Sequence, residues 1–125
     1  MSYKYFKVIS RTFIETAEFS KKWKEIDLDD NDLRIVQETI LKDPERGKLI
    51  VGTGGIRKLR IPIKNNRGKS SGARVCYIDY ELTKTTILIT VFSKHEKENL
   101  SNEEKKIIKS FVKQLNLKYG GYKNE

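Results

Sequence analysis

The sequence predicts an α+β domain, a meander sheet of about four strands with helices packed on one face. Three observations carry this. Apolar residues recur with a helical period in three segments and with a period of two in others. The segments run strand, two helices, three strands, helix, so strands and helices are segregated rather than alternating. The chain has 125 residues, 37% hydrophobic and 34% charged, which fits one folded domain over residues 1–125.

Val8 to Ile14 is rich in β-branched and aromatic residues and reads as the first strand. Thr16 is placed to cap a helix in which Phe19, Trp23 and Ile26 share a face. The turn Leu28-Asp29-Asp30-Asn31-Asp32 supplies the next cap. The second helix carries a stripe of Leu33, Val36, Ile40 and Leu41. It stops near Asp43, because the residue before Pro44 is pushed out of helical geometry. A loop leads to Gly52-Thr53-Gly54-Gly55. From Arg57 to Lys64, Leu59, Ile61 and Ile63 alternate with Lys58, Arg60, Pro62 and Lys64, giving one core face and one cationic face. Pro62 marks an edge or a bulge. A polar linker, Asn65 to Gly72, is long for a hairpin and is expected to be mobile. Ala73 to Glu81 is a strand carrying Arg74, and Thr86 to Phe92 is a nearly all-apolar strand expected at the sheet centre. By parity Tyr80 shares a side with Arg74, whereas Tyr77 faces the other way and is core if both faces are covered. Ser101 and Glu104 form a capping box for a last helix with Ile107, Ile108, Phe111, Val112 and Leu115 at helical spacing. It ends before Gly120-Gly121. In this arrangement the second sheet face stays open, lined by Lys58, Arg60 and Arg74.

Charge gives the first functional clue. The net charge is +9, from 26 basic and 17 acidic residues. No acidic residue lies between Arg46 and Ile78, a stretch holding Arg46, Lys48, Arg57, Lys58, Arg60, Lys64, Arg67, Lys69 and Arg74. Those nine cations equal the whole excess. A cationic segment on a neutral body attracts polyanions, and nucleic acid gains further from counterion release. A solvated loop or a patch for an acidic peptide is the blander reading.

Several chemistries are excluded. One cysteine, Cys76, leaves no internal disulfide, and one histidine with one cysteine argues against a His/Cys zinc site. Gly68-Lys69-Ser70 is not a phosphate-binding loop: Ile63 stands where that motif needs glycine, and a strand follows instead of a helix. Gly52 to Gly55 reads as a tight turn, not a dinucleotide fingerprint. Cys76 reads as a small buried hydrophobe. The longest apolar run, Ile87 to Phe92, is far shorter than a membrane span of roughly 20 residues. Met1 to Tyr5 lacks the charged-then-apolar run of a signal peptide, so a cytoplasmic location is expected.

The constellation that remains is Lys58, Arg60, Arg74 and Lys94, four cations from three strands. A cation cluster without acidic partners is electrostatically costly and points to an anionic ligand. Arginine suits bidentate contact with phosphate. His95, the only histidine, adds a possible acid or base just past the last strand, and a plain surface histidine is the simpler reading.

Gly52-Thr53-Gly54-Gly55-Ile56-Arg57-Lys58-Leu59-Arg60, then Gly72-Ala73-Arg74-Val75-Cys76-Tyr77, resembles the RelE/HigB superfamily of toxins from bacterial type II toxin–antitoxin modules. Ser93 to Leu100 is similar to the segment after the last main strand of that family, and the signature is nearest the HigB-like branch. The resemblance covers roughly Ile9 to Val112. It implies a curved sheet with a basic concave face and a ribosome-dependent mRNA endonuclease that needs no metal or other cofactor. In such toxins the ribose 2′-hydroxyl attacks the adjacent phosphate, so the target is RNA. Carried over residue by residue, Lys58 or Lys94 is the base, and Arg74 and Arg60 stabilise charge on the phosphate. His95 stands where the RelE subgroup has arginine, and Ser101 stands where it has a catalytic tyrosine. The acid is then His95 or, as a weaker candidate, Glu98. Arg57, Lys64, Arg67 and Lys69 are expected to hold RNA. The implied partners are mRNA on the ribosome and a cognate antitoxin of helix-turn-helix type, with operator DNA reached only through the antitoxin. A RelE-fold module that binds RNA or antitoxin without catalysis is the competing expectation.

Overall fold

The computed structural model of the chain describes residues 10–62 and 72–120. Five strands and three helices follow in the order β1 (Thr12–Glu15), α1 (Ala17–Glu25), α2 (Asp30–Lys42), β2 (Lys48–Leu49), β3 (Arg57–Ile61), β4 (Ala73–Tyr80), β5 (Thr85–Ser93) and α3 (Asn102–Tyr119). They build an α+β fold on one sheet of order β1-β5-β4-β3-β2. β1 runs parallel to β5, and the other three pairings are antiparallel. The fifth strand is β2. It has only two residues and exists by pairing Lys48 and Leu49 with Lys58 and Arg57. Val8 and Ile9, the strand-end residues Ile63 and Lys64, and all of the Asn65 to Gly72 linker but Gly72, with Arg67 and Lys69, lie outside the described residues.

Local chemistry places the helices. Thr16 Oγ1 accepts from Phe19 N at 3.0 Å and donates to Ile89 O at 2.7 Å, so one hydroxyl both caps α1 and ties it to β5. Phe19 and Trp23 stack one turn apart, with ring centroids 5.3 Å apart. Asp29 and Asp32 form a reciprocal capping box at α2. α2 ends at Lys42, and Asp43 turns extended ahead of Pro44. Ser101 and Glu104 form the same box at α3. The Gly52–Gly55 turn requires its glycines: Gly52, Gly54 and Gly55 all have positive φ, and buried Thr53 closes the turn by donating to Ile50 O and accepting from Ile56 N.

The expectation that helices cover one face is corrected. α1 and α2 bury Phe19, Trp23, Val36 and Ile40 against Leu59, Ile61, Val75, Tyr77, Leu88 and Val91. α3 lies on the opposite face, where Ile108, Val112 and Leu115 meet Ile56, Cys76, Ile78, Tyr80, Ile87 and Ile89. The reason lies in β4 and β5: both parities of these central strands are apolar over most of their length, so each face needs its own cover. Within the α3 stripe, Ile107 is 66% and Phe111 38% exposed. Tyr77 is core. Its hydroxyl donates to Pro44 O at 2.8 Å and accepts from Gly47 N at 3.0 Å. Tyr80, on the Arg74 side, is roofed by α3 and donates to Asn116 Oδ1 at 2.7 Å.

Candidate functional site

Strand alternation sends Leu59 and Ile61 into the α1/α2 core and leaves Lys58 and Arg60 on the α3 side. Register then aligns Lys58 with Cys76 and Arg60 with Arg74. Two arginines directly opposite each other are an unfavourable cross-strand pair. Among the described residues, the α3 side chains Ile108, Val112 and Leu115 pack in the apolar cluster with Cys76, Ile78 and Tyr80 of β4.

The end with Arg60 and Arg74 is closed by a carboxylate, and the expectation of a cluster without acidic partners is corrected. Glu98, in the segment between β5 and α3, reaches back onto the sheet. Arg74 donates from Nε and Nη2 to its two carboxylate oxygens, each contact at 3.2 Å. Arg60 Nη2 stands 3.7 Å and Lys58 Nζ 4.0 Å from Glu98 Oε2. Lys58 also donates to Glu98 O at 3.1 Å and to Asn99 Oδ1 at 2.6 Å. Among the described residues, three cations therefore surround one anionic group. Their access to solvent differs: the Arg74 side chain is 4% exposed, Glu98 39% and Arg60 74%. Arg74 forms the floor, Glu98 lies on it, and Arg60 stands at the rim.

The Glu98 carboxyl sits below the usual carboxylate range. Its desolvation works in the opposite direction, but hydrogen bonds and charge from Arg74, then the charges of Lys58 and Arg60, outweigh it. Cys76, beneath Lys58, is the reverse case: burial pushes its thiol up to about 12 against the pull of Lys58 and Lys97. That describes an inert packing group, not a nucleophile.

Neighbouring contacts hold the segment that carries Glu98. Lys97 pairs with Glu104 at 2.6 Å and lies over the Phe92 ring, 5.0 Å from its centroid. Leu100 is buried among the α3 contacts. Gly72 admits the chain on the other side: its φ is +77°, and a Cβ there would stand 2.9 Å from Ile61 O. Gly72 O accepts from Lys94 N at 3.2 Å, which brings the Lys94 backbone beside the start of β4.

The candidate residues thus separate. Lys58, Arg60 and Arg74 come together. Lys94 and His95 are exposed in the turn after β5, and among the described residues neither side chain joins the Glu98 cluster. Arg57 has the opposite parity to Lys58 and donates from Nη1 to Gly47 O at 2.7 Å and to Glu45 O at 3.1 Å. Ser101 is the α3 cap. Asn99 escaped the sequence reading. Its only local signal is its place two residues before that cap, which says nothing about Lys58, 41 positions away. No three His, Cys, Asp or Glu side chains gather as a metal-binding group among the described residues. No helix among them is long and apolar enough to cross a membrane.

Fold and site together define a small α+β domain with a cationic seat at the Glu98 end of its sheet. The family model described as the RelE toxin of the RelE/RelB toxin–antitoxin system matches residues 10–119. The chain belongs to this RelE family of toxin–antitoxin toxins. Among solved structures it is similar to a mutant of the Escherichia coli toxin RelE in the free state, at 16% identity and a TM-score of 0.48, over 70% of this chain and 86% of that one. It is also similar to a chain of the intact E. coli RelBE toxin–antitoxin complex, at 21% identity and a TM-score of 0.46, over 66% of this chain and 94% of that one.

Proposed function

We propose that this protein is a ribosome-dependent mRNA endonuclease that arrests translation and is held in check by a cognate antitoxin. The observation that carries the reading is the convergence of Lys58, Arg60 and Arg74 on one carboxylate. A group of cations that binds one anion through paired N–H donors suits a phosphodiester oxygen pair equally well. Membership of the RelE family supplies the class of reaction.

The chemistry needs little beyond charge and position. The ribose 2′-oxygen attacks the adjacent phosphorus, the O2′–P bond forms, and the P–O5′ bond breaks. The products are a cyclic phosphate and a free 5′-hydroxyl. Negative charge grows on the non-bridging oxygens, where Arg74 and Arg60 stabilise it. A base takes the 2′-hydroxyl proton, a role for Lys58 or Lys94 in its neutral form. An acid returns a proton to the 5′-oxygen, a role for His95 of the exposed turn after β5. The remaining cations Arg57, Lys64, Arg67 and Lys69 carry the RNA backbone. The antitoxin is of helix-turn-helix type, as in the HigB-like branch, and operator DNA is met only through it. The whole chain acts as one cytoplasmic domain.

A binding module without catalysis is the second reading, favoured by Ser101 serving as a cap where a tyrosine would act. Mapping cuts on an mRNA under translation by purified ribosomes separates the two. Discrete cuts by the wild type, lost in an Arg74→Ala, Lys94→Ala double variant, support the endonuclease. Intact mRNA with folded, ribosome-bound protein leaves the binding module.

A further inference from the structure

Resting on that reading of the seat, we propose that Glu98 is a built-in competitor for the RNA phosphate, and that substrate engages Arg74 only by displacing the Glu98 side chain.

The argument is steric before it is electrostatic. Arg74 is almost wholly buried, and its Nε and Nη2 donors are taken up by Glu98. An incoming phosphate therefore has no open path to those donors while the carboxylate is in place. Arg60 is exposed and stands only at ion-pair distance from Glu98, so it is free to meet a ligand first. Displacement does not require the backbone to move. Lys58 holds the Glu98 carbonyl and the Asn99 side chain, Lys97 is clamped to Glu104, and Leu100 is buried. The strap stays fixed while a side-chain rotation empties the seat.

The exchange is balanced in charge. With Glu98 seated, three cations face one carboxylate, and a field that attracts RNA persists. When a phosphodiester replaces the carboxylate, one monoanion succeeds another and the arginine pair on β3 and β4 remains screened. An empty seat would leave Arg60 and Arg74 opposed across the strands. Glu98 thus stabilises the free protein and sets a threshold that isolated phosphates must exceed. A substrate held at other points meets that threshold with the help of its remaining contacts. The carboxyl is also held ionised by its three neighbours, which suits an occupant of the seat and does not suit a proton donor.

The test uses the full chain and a single-stranded RNA tetranucleotide with 2′-O-methyl groups, which cannot undergo attack. Binding is followed by fluorescence anisotropy at constant ionic strength. Glu98→Gln is expected to bind about tenfold tighter than wild type, because a neutral amide competes poorly for Arg74. Arg60→Ala, an exposed change that leaves the core intact, should weaken binding and reduce the gain from Glu98→Gln. Glu103→Gln removes the same charge from the exposed first turn of α3 and should have little effect. An equal gain from Glu103→Gln would mean a net-charge effect and would overturn the competitor role. Unchanged or weaker binding by Glu98→Gln, with Arg60→Ala still weakening the wild type, would also overturn it while leaving the seat as an RNA site. Affinity indifferent to both Glu98→Gln and Arg60→Ala would sink the RNA reading of the seat as well.

Discussion

One face of the sheet carries two different surfaces. On β4 the residues Arg74, Cys76, Ile78 and Tyr80 share a side, yet Cys76, Ile78 and Tyr80 lie in core under α3 and Arg74 does not. At the covered end, Ile108, Val112 and Leu115 exclude water and Tyr80 donates to Asn116. Burial there pushes the Tyr80 phenol up to about 12. At the other end, the carboxylate of Glu98 lies over buried Arg74. Strand parity selects the face. The reach of the helix then decides where core stops and a polar site begins. A side chain can leave its place far more easily than a packed helix, so the Glu98 end is the one able to admit a ligand.

The sharpest way to break this contrast is to remove the floor of the Glu98 end. Arg74→Ala should lower ribosome-dependent cleavage about 10²–10³-fold, the usual loss when a transition-state donor is removed. Arg60→Ala, at the rim, should lower it less. Primer-extension mapping on translated mRNA reads both. Cleavage by Arg74→Ala at the wild-type rate would remove the Glu98 end from the chemistry.

The covered end should respond in the opposite way. Leu115→Ala deletes a buried contact between α3 and the sheet and should cost about 2–5 kcal/mol of stability. Denaturant unfolding measures it. Cleavage per folded molecule should stay near that of the wild type. Loss of both stability and specific activity would show that the two ends are coupled through α3.

The link between the ends is the α3 cap, and its effect is smaller. Ser101→Ala removes the acceptor for Glu104 N and should cost about 1 kcal/mol. Because the capping box adjoins Leu100 and the Glu98 strap, this variant should also loosen Asn99. Hydrogen exchange at residues 97–101 would report that directly.

Much of this contrast was legible in the sequence, and the illegible part has a physical cause. Thr16 and Ser101 were readable as caps, and the Leu28 to Asp32 turn as the source of another, because a cap acts on backbone three residues away. The alternation of Leu59 and Ile61 with Lys58 and Arg60 was readable because parity is local. The open second face was misread: both parities of β4 are buried, and which helix covers the second face depends on contacts between distant segments. β2 was unreadable, since two residues paired only with β3 carry no period of their own. The acid-free run from Arg46 to Ile78 was real along the chain and misleading in space. Glu98 closes it from 24 positions beyond Arg74. The partners of an ion pair leave no mark on each other's local sequence.

The same closure makes the smallest prediction, a dependence of stability on acid. Glu98 and Glu104 both sit below the usual carboxylate range. In each case desolvation pushes the carboxyl up, but Arg74, Lys58 and Arg60 outweigh it at Glu98, and Lys97 with Ser101 outweighs it at Glu104. A carboxyl whose folded value is lower than its unfolded one binds fewer protons when folded. Its contribution to stability is therefore complete above an unfolded value near 4.5 and is lost as pH falls through the folded value. The melting temperature should be flat from about pH 7 to about pH 5 and then fall towards about pH 3. Glu98→Gln and Glu104→Gln should each flatten part of that fall. Their effects should couple rather than add, because Lys97, next to Glu98, pairs with Glu104 and the cap of α3 adjoins the segment that carries Glu98. Calorimetry across that range provides the measurement. A double variant that loses as much stability in acid as the wild type would mean that neither end depends on its carboxylate, and that cover rather than charge holds the two ends alike.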